Sequence, residues 1–385
     1  MAIESQLTRR TAILAALEGT YGQDAGPTSA LNGILVNEGV DLTPQADKSD
    51  RTVVRDTFSP AGSVIGAKSQ DIKIQVEVRG GGLDAEGHPL PPDYDSLLLA
   101  SGMQRSAVMR LTMASNASFL AGETITGGTS GARGTIEYIE RDKLLVATML
   151  SGTFAAETIT GGASGVTATV AASAPGIMYR PITARPAAQV SDSIYFHKDS
   201  ILHRLLGARG TWSLDAQDGK IATIDFTMSG LWVDPADQDM PAPVLTNLAG
   251  PQFMGANLQI GEYTPAFTAL KLDIANKVEK RQDANSPEGI VGLLITGRSP
   301  TGSLDPEVDK LAAYNPWTAW RDTNARAKLC GYIGSVPGNR LAVYVGAAQY
   351  TDLKYGERVG LAIYNETFTP TQERTGDDEL RLVFF

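Results

Sequence analysis

Asp71-Ile-Lys-Ile-Gln-Val-Glu-Val-Arg79 alternates apolar and polar residues without a break. Ile72, Ile74, Val76 and Val78 point one way, while Lys73, Gln75, Glu77 and Arg79 point the other. A period of two predicts an antiparallel strand with one face in a core and one toward solvent. The glycines Gly80, Gly81 and Gly82 then turn the chain, and Asp93-Tyr-Asp-Ser-Leu-Leu-Leu-Ala-Ser-Gly102 follows Pro91 and Pro92. Proline before the start, acids in the first turn and glycine at the end predict a short helix there.

The same order of elements recurs further on. Gly210-Thr-Trp-Ser-Leu-Asp215 and Lys220-Ile-Ala-Thr-Ile-Asp-Phe-Thr-Met228 flank Asp218-Gly219, a strong hairpin signal. In the C-terminal half, Gly289-Ile-Val-Gly-Leu-Leu-Ile-Thr296 reads as a strand. Asn315-Pro-Trp-Thr-Ala-Trp-Arg321 reads as a helix with an asparagine cap and proline in its first position. Gly331-Tyr-Ile-Gly-Ser-Val336 then turns at Pro337-Gly338-Asn339 into Arg340-Leu-Ala-Val-Tyr-Val345. Laying Lys220-Ile-Ala over Arg340-Leu-Ala puts the two turns in register, and each half reads strand, helix, hairpin.

Between its helix and its hairpin the first half carries about 100 residues that the second lacks. There Glu123-Thr-Ile-Thr-Gly-Gly-Thr-Ser-Gly131 recurs as Glu157-Thr-Ile-Thr-Gly-Gly-Ala-Ser-Gly165. A repeated strand, glycine turn and strand predicts two similar hairpins packed together in a small inserted β-domain. The expected organisation is therefore 1–112 and 175–247 as one interrupted domain, 113–174 as the insertion, and 248–385 as a second domain. The fold class is mainly β, with two tandem sandwich or barrel domains, each with a short flanking helix. Near the start, Thr11-Ala-Ile-Leu-Ala-Ala-Leu17 follows Arg9 and Arg10. The run is too short for a secretory leader, and a short amphipathic helix is expected. No apolar stretch is long enough to span a bilayer as a helix.

The composition of the 385 residues narrows the function. Hydrophobic residues make up 42%, enough for a large core, and the 40 glycines suit many turns. The net charge of −10 argues against binding to phosphate backbones, which depends on Lys and Arg. The single cysteine, Cys330, lies in an apolar stretch and reads as a small buried hydrophobe, with no disulfide framework.

No residue set points to chemistry. Gly80-Gly-Gly82-Leu-Asp-Ala85 has the outline of a dinucleotide loop, but Glu86-Gly-His-Pro-Leu-Pro-Pro92 cannot form the helix that such a loop needs. His88, His197 and His203 lack metal-ligand spacing. Asp234-Pro-Ala-Asp-Gln-Asp239 lacks the glycine and distal glutamate of a calcium loop. Ser130 and Ser164 sit in no nucleophile motif. The reading is a non-enzymatic protein with no catalytic, cofactor or metal residues and no cofactor.

Three stretches resemble the tail tube proteins of long, non-contractile-tailed phages and Mu-like prophages. They are Ala12-Ile-Leu-Ala-Ala-Leu-Glu-Gly-Thr-Tyr-Gly-Gln-Asp-Ala-Gly-Pro-Thr28 with Asn32-Gly-Ile-Leu-Val36, the helix segment from Pro91 to Gly102, and Leu202-His-Arg-Leu-Leu-Gly-Ala-Arg-Gly-Thr-Trp-Ser-Leu-Asp215 through Gly230-Leu-Trp-Val-Asp-Pro235. The resemblance implies a virion protein, made in the host cytoplasm, whose strands join those of its neighbours into stacked rings. It also implies a homotrimer of pseudo-sixfold shape or a hexamer, a conduit for ejected DNA, and tape measure and tail terminator or tip proteins as further partners. DNA would be transient cargo, and no membrane is involved. The polar stretch 41–70 suits a hairpin arm reaching the next ring. The alternative is a β-protein that binds carbohydrate or a cell surface through the repeated insertion.

Overall fold

The computed structural model describes residue 7 and residues 10–141, 143–286 and 288–385. Arg9, read as half of a basic pair, lies outside them. Strands take 51% of the chain and helices 4%, so the mainly β expectation holds.

Four strands form the first set: Asp41–Asp50, Ser63–Glu77, Thr223–Leu231 and Ile201–Gln217, all paired antiparallel. Its register puts Val76, Ile224 and Leu214 side by side, with Ile74, Phe226 and Trp212 in the next row. All six are buried, as period-two alternation requires when one face is covered. Asp218 and Gly219 turn the last two strands, with Gly219 at φ +71°. A second set of four follows: Ala269–Asp273, Thr301–Leu304, Leu361–Pro370 and Leu341–Arg358. The two sets are joined inside the chain, because residues 213–217 pair with Ala269–Asp273. One hydrophobic core underlies both and runs from Ile13 to Phe384.

Both expected helices form, each over six residues. Asp95–Ala100 buries Leu97, Leu98 and Ala100. In Pro316–Arg321 the Asn315 side chain accepts from the Thr318 N–H at 3.1 Å, the cap that its sequence announces.

The structure corrects three expectations. Thr11–Leu17 is a strand, paired along its length with Asp192–Lys198. Ala12, Ile13, Leu14 and Ala15 are all buried. A single helical turn or two would cover one stripe only and would bear the cost of nucleation. Arg79 leaves the polar face: it is buried, and its guanidinium meets Asp93 at 2.6 Å and the Leu35 carbonyl. The chain has begun its glycine turn there, so strand alternation no longer sets its direction. Finally, Leu341–Arg358 with Leu361–Pro370, not the turn at Pro337-Gly338-Asn339, occupies the sheet position that Ile201–Gln217 with Thr223–Leu231 holds. Similar turn chemistry marks a hairpin but not its layer. The long strand Ser63–Glu77 likewise has a broken counterpart. Ile290–Arg298 pairs outward with Asn276–Gln282, and Thr301–Leu304 pairs inward; Ser299 and Pro300 separate them, proline having no amide to continue the ladder.

Residues 103–181 roll into a closed barrel. Met103–Met113 pairs with Leu144–Ser151, then Arg133–Arg141, Thr124–Gly127, Thr158–Gly161 and Thr167–Pro181, which returns to Met103–Met113. Closure leaves no free edge in the ring of strands. A separate core of Leu111, Phe119, Ile125, Ile136, Phe154 and Ile159, among others, fills it. The barrel is tied to the second set through Arg381–Phe384, which pairs with both Thr167–Pro181 and Leu341–Arg358. Tyr138 and Val146 pack there against Cys330 and Tyr344 in a third cluster.

Candidate assembly surfaces

Three surfaces follow from the sheet. The first is its polar face. Across the strands from Asp41–Asp50 to Thr301–Leu304, the side chains opposite the core are Lys73, Gln75 and Glu77, then Thr223, Asp225 and Thr227, then Thr211, Ser213 and Asp215, then Lys271 and Asp273, then Thr301 and Ser303. With Asp41 and Asp71 in the same alternation, the carboxylates on this face are Asp41, Asp71, Glu77, Asp215, Asp225 and Asp273. The ammonium groups are Lys73 and Lys271. Acid outnumbers base, although Lys271 is paired with Asp215 at 2.8 Å. Gln75 donates to Asp225 at 2.9 Å, and small hydroxyls fill most other positions, which keeps the face smooth.

The second surface is the pair of sheet edges. Asp41–Asp50 has a strand partner on one side only. At the other end, residues 349–358 pair with Leu361–Pro370 on their inner side, and among the described residues no strand covers the outer side. Unpaired edges of this length invite another strand.

The third is the hairpin made by Asp41–Asp50 and the first part of Ser63–Glu77. Residues 47–60 are exposed throughout. Its tip carries Val54 and Phe58, whose side chains touch little of the chain, at 104% and 110% exposure. Apolar groups held away from the body in this way suit a partner. The second hairpin, Asn276–Gln282 with Ile290–Arg298, lies down instead. The Tyr21 hydroxyl accepts from the Leu293 N–H at 2.7 Å, and the Arg209 guanidinium donates to the Leu293 carbonyl. The Gln189 amide makes both backbone hydrogen bonds of Ile295. A cavity of about 350 Å³ remains between this hairpin, Gly102–Arg105 and the 182–190 segment.

The motifs set aside in the sequence have structural places. Gly80 lies against the turn at Gly338, where a Cβ would come within 2.1 Å of the Gly338 carbonyl oxygen. Its amide donates to Asn339. The triple glycine thus permits close approach of two loops from the two halves. His197 is buried, and His203 stacks on Phe196; burial lowers the pKa of both. His88 is exposed beside Asp84. The Ser130 and Ser164 hydroxyls are held by glutamates. Among the described residues no group of His, Cys, Asp and Glu could hold a metal ion, and no helix is long and apolar enough to cross a membrane. Cys330 is buried, as expected. The sequence had not revealed the two sheet edges, because they depend on which strands pair.

A β-protein whose sheet ends in free edges and whose hairpin projects with an apolar tip belongs to the class of assembly subunits. The family model described as phage tail tube protein matches residues 8–325, and the chain belongs to that family. No curated protein matches it. It is thus a structural component of a phage tail, and its family is one of proteins that assemble into a tube.

Proposed function

We propose that the chain polymerises into stacked rings that form the tail tube of a long, non-contractile-tailed phage of the Mu-like kind, and that genomic DNA passes through it. The observation that carries this reading is the junction of residues 213–217 with Ala269–Asp273, which joins two four-stranded sets edge to edge within one chain. Three chains in a ring would present six such sets, so a homotrimer with pseudo-sixfold shape is favoured over a hexamer. The two sets define tandem tube domains, 1–112 with 175–247 and 248–385, and 113–174 is the insertion. Tape measure and tail terminator or tip proteins are the further partners, and assembly takes place in the host cytoplasm.

The polar face is assigned to the lumen. Its excess of carboxylates repels phosphate, and a channel that DNA slides through benefits from walls that do not hold it. The test is retention of DNA by assembled tubes carrying Asp215→Lys and Asp225→Lys. These should bind short duplexes at low salt and release them as salt rises, whereas the unaltered tube binds none. Equal binding by both would remove the lumen assignment.

A further inference from the structure

The seated hairpin provides a template for the projecting one. In the first set, Ile201–Gln217 is the last strand; in the second, Ala269–Asp273 is the first, and these two are joined. The two edges left open occupy the same positions in the repeat: Asp41–Asp50 is the first strand of the first set, and Leu341–Arg358 is the last strand of the second. Beyond the internal junction, the chain leaves Ala269–Asp273 and crosses the end of the first helix. There Asn276 Nδ2 donates to the Ser101 carbonyl at 2.6 Å and the Gly210 carbonyl at 3.0 Å, and Ile295 comes against Gly102. The equivalent place in the second set is where Pro316–Arg321 ends over residues 349–352. Trp320 lies there 48% exposed, its indole N–H directed at the Thr351 carbonyl at 3.4 Å, beside exposed Asp322, Thr323 and Thr351.

Resting on the assembly reading above, we propose that Asp41–Asp50 of one copy adds to the outer side of residues 349–358 of the next copy, and that its projecting end crosses Trp320 there. The occupant is fixed by what the two surfaces offer. Backbone groups on both edges want antiparallel partners, as every pairing in this sheet is antiparallel. The hairpin brings Val53, Val54 and Phe58 to a half-exposed indole, and tryptophan anchors of this kind carry much of the energy of protein interfaces. Because different surfaces meet, the contact runs head to tail and propagates until it closes. The projecting hairpin then serves first within its own ring, where the sequence had suggested a reach to the next one.

The test uses two full-length single-cysteine variants, Gln45→Cys and Lys354→Cys. Both positions lie on the polar side of their strands, and the native Cys330 is buried and slow to react. Each variant is assembled alone and as an equal mixture, oxidised, and run on a non-reducing gel. The mixture should give a dimer-sized band that neither variant gives alone, and adding Trp320→Ala to the Lys354→Cys chain should weaken that band without changing its thermal unfolding. Tubes or rings that form in the mixture without this band overturn the edge pairing, and a band unaffected by Trp320→Ala overturns the crossing at the helix. Failure of the unaltered protein to assemble at all overturns the tube reading itself, which separates the two.

Discussion

Glu123 and Glu157 stand 34 residues apart in the sequence and serve each other's turns in the fold. Glu157 accepts from the N–H groups of Thr129 and Ser130, each at 2.8 Å, and from the Ser130 hydroxyl. Glu123 accepts from the N–H groups of Ala163 and Ser164 at 3.1 and 2.9 Å, and from the Ser164 hydroxyl. Thr124–Gly127 and Thr158–Gly161 pair antiparallel between them, so the repeat is a pseudo-twofold exchange. The repeated polar groups are spent on the barrel itself, which makes it a brace more than a ligand-binding module.

Glu157→Ala leaves buried turn amides without acceptors, at a cost of about 1–3 kcal/mol. Amide exchange should quicken across the barrel and stay unchanged in the strands of the first set. The Ser130 hydroxyl, then its N–H and that of Thr129, hold the Glu157 carboxyl down at about 2. A depressed carboxyl stabilises the fold above its ordinary range near 4.5 and loses that contribution as pH falls through about 2. Barrel exchange rates should accordingly rise only under strong acid.

Glu366 shows the opposite behaviour. It is buried on the core face, where it accepts from the Tyr314 hydroxyl at 2.7 Å, and that hydroxyl lies 2.8 Å from Tyr350. Burial pushes its carboxyl up from 4.5 to about 7. With a folded pKa above the unfolded one, the stabilising difference is fully present below about 4.5 and is lost as pH rises through 7. Glu366→Gln should therefore raise the stability of the chain relative to wild type at pH 8, by up to on the order of 3 kcal/mol, and give no such gain at pH 4. Chemical denaturation at the two pH values decides it; a gain of equal size at both would contradict the assignment.

Removal of the insertion is not neutral. Replacing residues 113–174 with a short turn strips Tyr138 and Val146 from Cys330 and Tyr344. The melting temperature should fall, and Cys330, inert in the whole chain, should react with a thiol reagent under native conditions. An unchanged melting temperature with an unreactive thiol would make the barrel a detachable decoration.

Deleting residues 45–66 should act in the reverse sense. The segment is mostly exposed and pairs mainly with itself, and residues 41–44 remain paired with residues 70–73. The shortened chain should melt at the same temperature as the parent and yet fail to polymerise in sedimentation. Polymerisation at the parental level would remove the hairpin from the account.

Much of this was legible in the sequence because local chemistry and burial agree. Ile72, Ile74 and Val76 alternate since one face of their strand is covered along its whole length. Asn315 and Pro316 start a helix wherever they fall. The reading failed where tertiary partners decide. Thr11–Leu17 has no period that separates a doubly covered strand from a short helix, and only Asp192–Lys198 settles it. Arg79 obeys the alternation in sequence and breaks it in space, because Asp93 waits at the turn. The functional surfaces were hidden for the same reason: Asp225, Asp215 and Asp273 are scattered along the chain, and only the strand register brings them onto one face.

Negative-stain electron microscopy of the purified protein at high concentration tests the central claim most directly. The account predicts rings and hollow tubes with threefold or pseudo-sixfold outline. Strictly monomeric particles under the same conditions would contradict it.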